Sequence, residues 1–262
     1  MTFELEPYVA YRGNKFGIVE QLYSTIRMLD IPQPLGIVDA FTGGGSFAYF
    51  MARKGYKVLA NDIDEDLIEL HNACKQTPEV VRSWFREYFT KETFNKVKHT
   101  SGAYAAYVRA IWSFSNDCKT YLTSTDKQDK KIADFLAGDA EPNARSKHIE
   151  DIILLWARNN LDLNFVSGSY ENLTIPEGWL GYLDPPYQGV GGYRSGKFDH
   201  DKFYGWALNQ PGLVLISEYE MPKEFFLVDE YLKWNEAGRG ARTKQSVERL
   251  YSNKPVKKLT LF

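Results

Sequence analysis

Asp184, Pro185, Pro186 and Tyr187 stand in a row directly after the apolar run GWLGYL. Asp184 and Pro185 each precede a proline, which biases both toward extended backbone. The prolines donate no N–H, so the turn offers oxygen acceptors without competing donors. The result is a stiff acceptor pair, the Asp184 side chain and the Pro185 carbonyl, beside the aromatic face of Tyr187. An edge loop can also carry two prolines, because Pro cannot continue a sheet ladder.

An acceptor pair next to a stacking surface suits a planar base with an exocyclic amino group. In adenine that nitrogen is a poor nucleophile, since its lone pair is delocalised into the ring. Two hydrogen bonds, to the Asp184 carboxylate and the Pro185 carbonyl, favour a tetrahedral nitrogen with a localised lone pair. Such a nitrogen can attack a sulfonium methyl in line, the protein supplying position and electrostatics. A duplex hides the amino group, so the base has to be flipped out at about a few kcal/mol.

A second stretch, DAFTGGGSF (39–47), follows a candidate strand and opens a candidate helix, where α/β sheets bind cofactors. Gly43, Gly45 and Ala48 satisfy G-x-G-x-x-G/A, and Asp62 closes the next strand at the distance where an acid takes ribose hydroxyls. This loop alone fits NAD or any nucleoside cofactor. Asp39, ending the first strand, suits a cofactor with an α-amino group better than a pyrophosphate. S-adenosylmethionine answers that description, and Lys15 in YRGNK is a candidate cation for its carboxylate, although a solvated surface lysine is the bland alternative.

Five apolar runs read as the strands that position these residues: 36–41, 57–62, 163–169, 178–184 and 212–220. Helical spacing appears over 14–29, 46–55 and 65–75, with Asp64 as an N-cap and Gly55 as a C-cap. Strands alternating with helices predict an α/β fold with a mostly parallel sheet covered on both faces. Between 76 and 160 the alternation gives way to polar, aromatic-rich helical sequence, predicting an α-rich insertion. Within it 123–131 reads as an exposed loop. The expected division is therefore 1–75 with 161–262, and 76–160.

The 262 residues, 44% hydrophobic and 25% charged, describe a globular chain and exclude wholesale disorder. No apolar run approaches the ~20 residues of a membrane span, and MTFELEPYVAYRGNK does not read as a signal peptide. Cys74 and Cys118 form no CxxC pair, and His71, His99, His148 and His200 lack ligand spacing. No metal is expected, and a reducing cytoplasm is. The net charge of −2 conceals an uneven distribution: 75–158 carries 14 basic against 11 acidic residues, and 236–262 carries 7 against 2. A polyanion could bind these two basic segments.

With these motifs in place, the chain resembles the Dam-like DNA adenine-N6 methyltransferases, whose order is cofactor motif, recognition insertion, DPPY. YRGNK (11–15) is similar to their N-terminal cofactor motif, DAFTGGGSF to their FxGxGS loop and ANDID (60–64) to their acidic strand end. SGSYENL (168–174) stands where they contact the cofactor adenine, and ISEYEMP (216–222) and RTKQSVERLYSN also look familiar. The resemblance implies a Rossmann-like S-adenosylmethionine-dependent methyltransferase sheet with an α-rich target-recognition insertion at 76–160. It implies that Tyr11, Lys15, Asp39, Phe41, Gly43, Gly45, Asp62, Ile63, Ser169, Tyr170 and Asp184 surround the cofactor. Asp184 with Pro185 and Pro186 would hold the target amino group, and Tyr187 would stack on the base. The N-terminal motif often has Trp where this chain has Tyr11, and no DNA-inserting β-hairpin is recognisable in the insertion.

Double-stranded DNA is the implied partner, with no metal, no membrane, and a monomer or weak dimer as the working state. Arg109, Trp112, Asn116 and Lys119 are candidates for DNA contact in the insertion, as are Arg239, Arg242 and Lys244 in GRGARTKQ, read as a flexible basic loop. For Trp112 and Phe114 a core aromatic stripe is the competing reading. YQGVGGYRSG (187–196) suggests a lid. Rivals are cytosine-N4 transfer, where Ser generally replaces Asp184, RNA or protein-glutamine transfer, which goes with Asn there, and a non-catalytic DNA-binding relative.

Overall fold

The computed structural model describes residues 5–11, 13–87, 89–114, 117–122, 145–187, 198–237 and 241–259. Five short parallel-type strands appear where the apolar runs lie: β1 (Ile37–Asp39), β2 (Val58–Asp62), β3 (Leu163–Ser167), β4 (Leu180–Leu183) and β5 (Leu213–Glu218). Two longer strands follow, β6 (Phe226–Ala237) and β7 (Ala241–Ser252). The sheet order is β3-β2-β1-β4-β5-β7-β6. The first five strands pair in parallel, whereas β7 runs antiparallel to β5 and β6 antiparallel to β7.

The alternation along each strand explains why both faces are covered. Ile37, Leu180, Tyr182 and Leu215 enter one buried cluster, while Val38, Leu183, Val214 and Ile216 enter the other. Helices α1 (Val19–Met28), α2 (Ser46–Arg53) and α3 (Glu65–Gln76) supply the first cluster, and α8 (His200–Leu208) supplies Phe203 and Ala207 to the second. Asp64 caps α3 by accepting from the Leu67 N–H, as its position predicts.

Between α3 and β3 lie α4 (Pro78–Trp84), α5 (Lys91–Val97), α6 (Ala103–Trp112) and α7 (Ser146–Arg158). These helices share the sheet's own core: Phe94, Tyr107, Ile111 and Ile152 are buried in the same cluster as Leu22 and Ile37. Among the described residues no helix is long and apolar enough to cross a membrane.

One expectation needs extending and one correcting. The sheet is mostly parallel as expected, and what the sequence reading lacked is the β6–β7 hairpin that extends it antiparallel. Positions 241–245 of GRGARTKQ also belong to β7, where Arg242 is registered with Glu236 and Lys244 with Asn235. A flexible loop there is excluded. Arg239, Asn116, the 123–131 stretch and the glycine-rich 188–196 segment lie outside the described residues.

Candidate active site

One edge of the sheet collects acids. Asp39 ends β1, Asp62 ends β2, Asp184 follows β4 and Glu218 ends β5. β1 and β4 are neighbours, yet the chain leaves them toward opposite sides of the sheet. Such a reversal opens a crevice at the carboxyl ends of the strands. A cleft of about 900 Å³ occupies it, bordered by Tyr11, the glycine loop, Asp62, Tyr170, Asp184 and Tyr187.

The glycine loop is shaped by close backbone approach. Gly43 and Gly45 adopt φ of 47° and 79°, which disfavour L side chains, and a Cβ on Gly44 would collide with the Val9 carbonyl. The Val9 N–H donates to the Gly44 carbonyl at 2.8 Å, so the N-terminal segment is laid across the loop, with the Tyr11 ring against Gly43.

Asp62 holds the loop from below. Its Oδ2 accepts from the Gly43 N–H at 2.8 Å and its Oδ1 from the Asp64 N–H at 2.9 Å. Burial lifts its carboxyl to about 6, with those N–H groups opposing the rise. Each carboxylate oxygen retains a further lone pair for a ligand hydroxyl.

Two residues overlooked in the sequence complete this frame. Asn61 Nδ2 donates to the Ala40 carbonyl at 3.1 Å and the Gly168 carbonyl at 3.0 Å, tying the ends of β1 and β3 together. His71 is fully buried, stacked on Phe165, with Nε2 2.9 Å from the Gly43 carbonyl and Nδ1 3.0 Å from the Tyr49 hydroxyl. Desolvation lowers its pKa to about 4, so it is neutral.

Asp39 is the most constrained acid. It is 1% exposed, and neither carboxylate oxygen has a hydrogen-bond partner of normal length among the described residues. Burial raises its pKa to about 8; the nearby Thr42 hydroxyl tempers the rise, while Asp184 and Asp62 add to it. A buried acid with no donor at full hydrogen-bond distance, opening on a cleft, is suited to a cationic ligand.

Lys15, expected at the cofactor's carboxylate, is taken up by the protein's own acids. Its side chain is 5% exposed, with Nζ 2.6 Å from Asp184 Oδ2 and 3.5 Å from Glu248 Oε1. The same ammonium lies 5.0 Å from the centroid of the Tyr187 ring. Tyr187 meets Tyr219 edge-to-face at 4.9 Å. His200 Nε2 lies 2.9 Å from the Pro186 carbonyl, fixing the tail of the tetrapeptide. Pro185 is buried behind the turn.

Elsewhere along the cleft, Ile63 is 59% exposed, and Phe41 packs on Tyr170 at 5.3 Å. Ser169 caps the turn Tyr170–Asn172 by accepting from the Glu171 N–H.

The insertion candidates divide differently. Arg109 is 3% exposed; its Nη2 donates to Asp66 Oδ2 at 2.8 Å and its Nη1 to the Thr100 carbonyl at 3.1 Å. Trp112 is buried against Phe89. Both are core residues, which corrects the expected DNA contact of Arg109 and agrees with the competing core reading of Trp112. Phe114 goes the other way and is 59% exposed. It begins a short turn closed by the Ser113–Tyr121 bridge, with Cys118 at φ 59° and exposed Lys119 near its end. The Lys119 and Thr120 N–H groups both donate to Asp117 Oδ1 at 2.8 Å, which makes the turn stiff.

Residues 11–202, well over half of the chain, match the sequence profile of the D12 class N6 adenine-specific DNA methyltransferases. The chain belongs to that family. The chain is therefore a methyltransferase of that class, built on a Rossmann-like sheet. Among solved structures, the rRNA methyltransferase AviRa of Streptomyces viridochromogenes is 10% identical with a TM-score of 0.43, covering 93% of this chain and 87% of that one. A Haemophilus influenzae protein assigned as a methylase is 12% identical with a TM-score of 0.36, covering 90% of this chain and 88% of that one. No curated protein sequence matches the chain.

Proposed function

We propose that this methyltransferase moves a methyl group from S-adenosylmethionine to N6 of an adenine flipped out of double-stranded DNA. The observation that carries the reading is the shared cleft: the DPPY turn and the glycine loop, with Gly43 and Asp184 141 residues apart in sequence, border one cavity.

The side chains present fit that cofactor. Asp39, buried with no donor at full hydrogen-bond distance, matches an ammonium or sulfonium charge. Asp62 matches ribose hydroxyls, and Ile63 with Phe41 offers apolar contact to a purine. When bound, S-adenosylmethionine supplies an electrophilic methyl carbon. Everything else falls to the chain. Asp184 and the Pro185 carbonyl accept hydrogen bonds from the two amino hydrogens and turn the nitrogen lone pair toward that carbon. As the N–C bond formed, the S–C bond would break to leave the thioether S-adenosylhomocysteine, and the surplus amino proton would pass to solvent. Tyr187, braced by Tyr219, stacks on the base and keeps it out of the duplex. Burial and the nearby Asp184 and Glu248 carboxylates hold the Tyr187 phenol neutral.

On the insertion, exposed Phe114 and Lys119 supply an apolar contact and a phosphate partner for DNA. Methyl-labelled cofactor with duplex DNA, followed by digestion to nucleosides, tests the reading. Label is expected on N6-methyladenine; label on cytosine, on RNA alone or on protein would overturn it.

A further inference from the structure

We propose that Glu248 is a positioning residue for methyl transfer, holding Lys15 so that Asp184 can exchange an internal ion pair for the substrate amine. The inference rests on the methyl-transfer reading of the cleft. Glu248 lies on β7, beyond residues 11–202 matched by the family profile.

The geometry is that of a cation shared between two strands. The Glu248 side chain is 1% exposed, and its Oε1 lies 3.5 Å from Lys15 Nζ; the same ammonium sits 2.6 Å from Asp184. A carboxylate this deep costs several kcal/mol unless it is paired. Lys15 is itself anchored at its backbone, its N–H donating to Ser46 Oγ at 3.2 Å and its carbonyl accepting from the Ile18 N–H at 2.9 Å. The root of the side chain is thus fixed, and the ammonium lies between its two acids while donating to the Gly13 carbonyl at 3.2 Å.

That placement matters because Asp184 carries two duties. Without substrate it neutralises Lys15. With an adenine amine in place, the same carboxylate accepts an amino hydrogen, and every degree of retained pairing with Lys15 weakens it as an acceptor. Glu248 gives the ammonium a second anionic partner beside the Gly13 carbonyl, so Asp184 can turn to the amine while the buried charge stays neutralised. A neutral residue at 248 would fasten Lys15 onto Asp184. The effect would fall on the chemical step rather than on cofactor or DNA affinity, since Lys15 and Glu248 are both occupied within the protein.

The test compares wild type, Glu248→Gln, Lys15→Met and the double variant, measuring kcat, KM for DNA and cofactor, and melting temperature. Glu248→Gln is expected to lower kcat by about tenfold or more with both KM values within about twofold. In the Lys15→Met background the same substitution should change kcat by less than about twofold, because the residue through which it acts is gone. Equal losses in both backgrounds, an unchanged kcat, or a loss confined to KM would overturn the inference alone. A wild-type protein that labels no DNA would overturn the functional reading and this inference with it. If Glu248→Gln is too unstable to assay, the double variant decides: recovery of the wild-type melting temperature supports the Lys15–Glu248 pairing, and no recovery overturns it.

Discussion

The Lys15 ammonium and the Asp184 carboxylate are 2.6 Å apart, joining the N-terminal segment to the turn after β4. The pair links two motifs separated by most of the chain, and it determines how a substitution at Asp184 should behave. Removing the carboxylate does not strand the lysine, because Glu248 remains 3.5 Å away. Asp184→Ala should therefore fold and bind both cofactor and DNA, while methyl transfer falls by at least about 10²-fold. Filter binding alongside labelled-methyl incorporation checks both halves. Loss of folding would move Asp184 from the chemistry to the core.

A second prediction concerns pH and the cofactor. Asp39 has its pKa raised to about 8, so below that pH the empty cleft holds it protonated. A cationic ligand prefers the ionised form, and binding at neutral pH should release a proton. Cofactor affinity should rise with pH up to about 8, and calorimetry in buffers of differing ionisation enthalpy should register the proton. Asp39→Asn should weaken binding and remove the pH dependence.

Much of this site was legible from residue types and spacing, for a physical reason. Glycines in left-handed turns, prolines without donors and acids at strand ends are dictated by backbone constraints that a linear sequence displays. Gly43, Gly45, Asp62 and Asp184 were found that way. What stayed hidden depends on contacts between distant segments. Nothing local to Glu248, Asn61 or His71 reveals that β7, β2 and α3 bring them against Lys15, the strand-end carbonyls and the glycine loop that border one cleft. The β6–β7 hairpin was missed because charged residues such as Asp229, Glu230 and Glu248 interrupt its apolar alternation; Glu248 is buried there because Lys15 neutralises it. In the insertion, helical spacing placed Trp112 and Phe114 on one stripe, but α6 ends at Trp112, so the later ring falls on a turn and faces solvent.

The insertion residues give a prediction in which stability and DNA binding separate. Arg109→Ala leaves Asp66 buried without its guanidinium partner and should cost about 3–5 kcal/mol. Denaturant melts should show that loss, with DNA affinity unchanged at temperatures where the variant is folded. Phe114→Ala and Lys119→Ala sit on an exposed turn and should leave stability within about 0.5 kcal/mol. They should instead weaken DNA binding, with the lysine variant also showing a shallower dependence of affinity on salt. An Arg109 variant with selectively reduced DNA binding would restore the base-contact role that its burial argues against.

The acids and the histidine around the glycine loop pull stability in opposite directions with pH. His71 is lowered to about 4 from an ordinary 6.5, so between those values the unfolded chain binds the proton that the folded one refuses. Its contribution is fully present above about 6.5 and is lost as pH falls through 4. Asp62, raised to about 6, and Asp39, raised to about 8, behave conversely: each contribution is present below the ordinary carboxylate range and lost as pH rises through the folded value. Melting temperatures of wild type, His71→Leu and Asp39→Asn across pH 4–8 separate these components. The wild-type minus His71→Leu difference should shrink as pH drops from about 6.5 toward 4. The Asp39→Asn minus wild-type difference should grow from about pH 4 to 8, because the amide cannot ionise. The His71 variant should also raise KM for the cofactor, since the Gly43 carbonyl loses the ring nitrogen 2.9 Å away that fixes the loop. A flat His71 difference across that range would mean the ring takes up its proton in the fold as readily as in the unfolded chain, and that burial and its bonds to Gly43 and Tyr49 do not set its protonation state.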